Sequence, residues 1–139
     1  MISLAGRGLV LVALLLASAG CASGAYAGYK RDLTALRWTR YAALGFSAAM
    51  ILANLLMVYA LVTHDFSVHY VAEVGSRSTP MYFTVVSLWA SLNGSILFWG
   101  GVLGIYVGGW TLAIGDRHRE YLPWALHVLL GICVFFALL

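Results

Sequence analysis

The side chains able to do chemistry fall in three places. The stretch "HDFSVHYVAE" brings His64, Asp65, His69 and Glu73 together in one polar segment. A metal site needs several such ligands to converge on one point. In a polar loop they are more simply solvated, and no metal is assigned. His127 lies inside an apolar run. An imidazole there invites a haem-ligand or proton-relay reading. Leu130 and Gly131 stand one turn further on, so no partner at helical spacing supports it, and haem ligation is the lesser reading. The third place is "WASLNGSILFW", where Ser91, Asn93, Gly94 and Ser95 interrupt an apolar run between Trp89 and Trp99. No nucleophile triad, phosphate loop or basic nucleic-acid face is present. Cys21 and Cys133 lie in apolar runs and read as small buried hydrophobes.

The elements that position these residues follow from composition. The chain is 63% hydrophobic and only 9% charged, against about 25% charged in soluble domains. Its main solvent is therefore lipid. The expected class is an all-α polytopic membrane protein of four transmembrane helices, at residues 9–28, 41–63, 94–114 and 122–139. The polar segments between them are 30–40, the outer loop 64–80, and the turn "GDRHRE". The first span follows Arg7 and resembles a cleavable lipoprotein leader ending at Cys21. Ser18 and the apolar stretch beyond Cys21 favour a retained helix.

From Met81 to Gly115 there is no charged side chain. A single helix of that extent would run about 52 Å, too long for a bilayer core of roughly 30 Å. The break at Ser91 to Ser95 resolves this. Residues 81–92 are expected to lie at the interface, anchored by Tyr82 and Trp89. Asn93 or Ser91 then caps the third span.

Basic residues set the expected orientation. Lys30, Arg31, Arg37 and Arg40 lie in the first loop, and Arg117 and Arg119 in the third; only Arg7 and Arg77 lie elsewhere. The positive-inside rule then puts the N-terminus, the 64–80 loop and the Trp-bracketed corner outside. The cationic 30–40 loop needs no further partner than anionic lipid headgroups. The final run "CVFFALL" has no interfacial anchor, which is expected of the front part of a longer protein.

Gly20, Gly24 and Gly28 form one ladder, and Gly100, Gly104 and Gly108 another. A spacing of four places each set on one helix face, where small residues let backbones approach. The expectation is that the first and third spans pack through these faces. Asn54, in mid-span, is expected to hydrogen-bond across helices.

The order of motifs resembles the cytochrome c-type biogenesis protein CcmF family. Members show a loop like "NDFSVxYVA", then a Pro and a Tyr, then "WGGxEGSxxLW". Matching positions here are Asp65, Phe66, Val68, Tyr70, Val71, Ala72, Pro80, Tyr82, Trp89, Gly94, Ser95, Leu97 and Trp99. One departure is Asn93, where the family usually has Glu, so no carboxylate role carries over. The resemblance implies a multi-pass protein of the bacterial cytoplasmic membrane that helps attach haem to apocytochrome c on its outer side. It implies as partners the lipid bilayer, other cytochrome c maturation proteins and apocytochrome c, and no nucleic acid. The family's Trp-rich haem-handling motif does not occur in these residues. Haem is thus expected to be bound by parts of the full protein outside this chain, which alone is not expected to catalyse ligation. The rival readings are a small membrane scaffold subunit packing through its glycine faces, and a fragment of a transporter or channel.

Overall fold

A computed structural model describes residues 2–63, 71, 80, 82–83, 86, 90 and 92–139. Four long helices are present among them: α1 Ile2–Lys30, α2 Leu33–Val62, α3 Leu92–Ile114 and α4 Leu122–Leu138. In lipid each backbone amide needs a partner within the protein, and helices supply it within their own segment. α1, α2 and α3 are long and apolar enough to cross a membrane; α4 is a shorter apolar helix of 17 residues.

The helix ends are set by local chemistry. Only Arg31 and Asp32 separate α1 from α2. Arg31 turns the chain at φ 54. Asp32 caps α2, accepting a hydrogen bond from the Thr34 amide at 2.8 Å. A carboxylate at that end also complements the helix dipole. Most of the expected 30–40 loop is thus helix. Its charges mark where the apolar stretch begins, while the cap marks where the helix begins. Gly115 ends α3 at φ 54, a left-handed turn that glycine adopts without strain. The His118 carbonyl then accepts from the Tyr121 and Leu122 amides, both at 3.0 Å, and Pro123 sits in the first turn of α4.

The helices form a bundle in the cyclic order α1, α2, α3, α4. α1 packs mainly on α2 and α4, and α3 mainly on α2. The core joins Ala13 and Ala17 of α1, Phe46 and Met50 of α2, Val107 of α3 and Leu126, Leu130 and Cys133 of α4. A smaller cluster at the far end of α2 holds Ala60, Leu61 and Val71, with Phe98 against it.

This order corrects one expectation. α1 and α3 lie diagonally across the bundle, and their glycine faces do not meet. Gly24 approaches α4, where a Cβ would lie 3.2 Å from the His127 backbone. Gly104 approaches α2, where a Cβ would lie 3.4 Å from the Ser47 Cα. A four-residue ladder shows where a neighbour comes close but does not name the neighbour.

Candidate functional site

The polar groups of the bundle work between helices. On the α2–α3 seam, the Asn54 amide donates to the Leu97 carbonyl at 3.0 Å and to Met50 of its own helix at 2.9 Å. Gly101 makes room for that amide. About two turns along the seam, the Ser47 hydroxyl sits 2.6 Å from the Gly104 carbonyl, to which it donates. A Cβ at Gly108 would lie 2.6 Å from that hydroxyl, and Gly100 faces Met50.

On the α1–α2 seam, Ser23 and Thr39 share a hydrogen bond of 2.8 Å. On the α1–α4 seam, His127 Nδ1 lies 2.8 Å from the Cys21 carbonyl and 3.4 Å from the Cys21 thiol. A carbonyl only accepts, so the ring donates to it from Nδ1. The Trp124 ring meets the imidazole edge-on at 6.3 Å. Gly20 admits Leu130 and Ala42, and Gly28 admits the Trp124 indole.

Sequence reasoning missed the Cys21–His127 pair because it sought a partner for His127 on its own helix. Cys133 is fully buried, whereas Cys21 is half-buried and in contact with the imidazole. Ser23 and Ser47 stand as hydroxyls in apolar runs, which in lipid seek a carbonyl or another hydroxyl, whereas Thr39 falls in the 30–40 segment that reads as polar.

At the corner motif, Gly94 is buried and Gly94, Ser95 and Trp99 lie within α3. Trp99 is 57% exposed on the outer surface of the bundle and packs edge-on against Phe98. The backbone of Asn93 is helical, since α3 starts at Leu92. The Asn93 side chain, Trp89 and Ser91 lie outside the described residues. So do most of the expected interfacial segment and the loop residues Asp65, Phe66, Val68, Tyr70 and Ala72. Tyr82 and Phe83 are exposed and stacked edge to face.

Among the described residues no group of histidine, cysteine and carboxylate side chains could hold a metal ion. Haem iron takes an axial histidine, cysteine, methionine or tyrosine facing a slot. One open cavity between α1 and α2 is lined by Gly8, Leu9, Val12, Leu52 and Tyr59, and another by the turn residues Arg31 and Arg119 with Trp124. Neither is lined by histidine, methionine or cysteine.

Apolar helices whose polar groups are satisfied by neighbouring helices define a multi-pass membrane protein. No family model matches the chain. It is 36% identical over 84 residues to the cytochrome c-type biogenesis protein CcmF of Pseudomonas fluorescens, a match covering 60% of this chain and 11% of that protein. It is 31% identical over 100 residues to CcmF of Pseudomonas aeruginosa, covering 70% of this chain and 14% of that one. The solved structure of the cytochrome c heme lyase CcmF superimposes with a TM-score of 0.90 at 33% identity, over 99% of this chain and 23% of that one. The chain is, on these findings, a CcmF-family sequence corresponding to a fragment of its longer relatives.

Proposed function

We propose that this chain is the N-terminal membrane module of a CcmF-type protein, which helps attach haem to apocytochrome c outside the bacterial cytoplasmic membrane. The observation that carries this reading is the superposition on the heme lyase structure over 99% of the chain. The module supplies scaffold and interface, and haem is held by other parts of the full protein. α4 acts as the fourth span, with the N-terminus outside. The corner at Trp89, Asn93, Gly94, Ser95 and Trp99, and the loop residues Asp65, Phe66 and Tyr70, lie on the outer side, towards apocytochrome and partner maturation proteins.

The test is complementation of a strain lacking the full-length protein, read as holocytochrome c by haem staining. Gly94→Leu puts a large side chain at a buried position of the first turn of α3 and is expected to cut the yield severely. His127→Ala is expected to leave it near normal. A normal yield from a stably inserted Gly94 variant removes the corner from the mechanism. Reading the coding frame past residue 139 separates this proposal from a small scaffold subunit, which requires a stop there.

A further inference from the structure

At the end of the bundle where both short turns lie, α1, α2 and α4 enclose a half-open cavity of about 240 Å³. Its floor is apolar, formed by Ala27, Leu36, Pro123 and Trp124. Gly28 lets the indole lie flat on α1, since a Cβ there would be 2.7 Å from Trp124 Cε2.

The rim carries Arg31, Asp32, Arg119 and Glu120. Two of these charges already have tasks. Arg119 pairs with Asp116 at 3.1 Å, and Asp32 caps α2. Arg31 and Glu120 line the same cavity, yet among the described residues neither forms an ion pair with the other or with a third group. The left-handed turn between α1 and α2 fixes the Arg31 backbone at the rim.

The depth of the cavity follows from its surroundings. Tyr29, Trp38, Tyr41, Tyr121 and Trp124 are all exposed around this end of the bundle. Tryptophan and tyrosine belts sit at the level of the lipid headgroups. An apolar floor below a charged rim therefore lies where a headgroup gives way to its glycerol and acyl chains.

We propose that this cavity holds the headgroup of a zwitterionic phospholipid whose amine carries N–H groups, with its phosphate towards Arg31 and its ammonium towards Glu120. A bare anion would meet two carboxylates on this rim, and a bare cation two guanidinium groups. A headgroup carrying both charges meets one free partner for each. The planar fork of arginine matches phosphate oxygens, and an ammonium donates charge-assisted hydrogen bonds to a carboxylate. The inference rests on membrane placement and stands apart from the haem-lyase reading.

The test uses the full-length protein, delipidated in detergent and offered phosphatidylethanolamine, phosphatidylcholine or phosphatidylglycerol. Bound lipid is counted by native mass spectrometry. Phosphatidylethanolamine is expected to bind about tenfold more tightly than either of the others, the scale of one charge-assisted contact. Glu120→Gln is expected to abolish that preference while phosphatidylglycerol still binds. Arg31→Gln is expected to weaken all three lipids, and Arg31→Lys to restore part of the loss. Equal binding of the three lipids by the unaltered protein overturns the proposal. So does a preference that survives Glu120→Gln, or a folded protein that binds no lipid because its own chain fills the cavity. If a variant fails to fold, the three-lipid competition on the unaltered protein decides the matter. Cytochrome c maturation is a separate readout and is not expected to follow the lipid preference.

Discussion

Asn54 shows how one polar side chain in an apolar span is put to use. Its amide bonds a carbonyl of α3 and a carbonyl of its own helix. Asn54→Ala removes the inter-helix bond and leaves space beside Gly101. Polar contacts between membrane helices contribute about 0.5–1.5 kcal/mol. The variant is expected to lose about that much, seen as a lower unfolding temperature in detergent. The sequence showed the donor, because an amide in lipid seeks a partner. It did not show the acceptor, because the Leu97 carbonyl comes within reach only where Gly101 lets the two helices close together. The same limit hid the partner of His127. Cys21 lies 106 residues away in sequence, and no periodicity on one helix points to it.

The glycine faces were legible from spacing, but their partners were a matter of bundle order. Two adjacent positions on α3 separate packing from mere glycine content. A Cβ at Gly108 meets the Ser47 hydroxyl at 2.6 Å and its Cβ at 2.9 Å, whereas a Cβ at Gly109 meets nothing within 4 Å. Gly108→Ala is expected to destabilise by about 1–3 kcal/mol, the usual cost of overpacking a fitted contact. Gly109→Ala is expected to be neutral or slightly stabilising. Thermal unfolding of the pair reads both outcomes, and equal effects would remove the close α2–α3 approach. Helix ends were less legible than helix faces. The charges of residues 30–40 spoke to depth in the membrane, and α2 runs through most of them because Asp32 caps its start. At the corner, the helix begins at Leu92, so Asn93 lies inside α3 and does not cap it; the polar break signalled a helix start but not the residue at which it falls.

On the scale of the molecule, both short turns lie at one end of the bundle. Arg40 of α2 reaches Asp116 of the α3–α4 turn at 3.4 Å. Asp116 is 71% exposed, so the pair contributes little by itself. The excess of basic residues around these turns is expected to hold this end in the cytoplasm. With Cys21 and Cys133 replaced by alanine, a membrane-impermeant maleimide applied from outside is expected to label Ser76→Cys and to spare Asp116→Cys. The reverse pattern would invert the proposed topology.

The order of the helices bears on how the protein is made. Chains emerge from the ribosome N-terminus first and their parts associate as they become available. α1 and α2, joined by two residues, share the most extensive seam of the bundle. That hairpin can form in the bilayer while the rest of the chain is still being synthesised. It then offers a separate prepared groove to each later helix: the Ser47–Asn54 side of α2 to α3, and the glycine face of α1 to α4. On this arrangement each newcomer is expected to dock on a template already standing, in the order of translation.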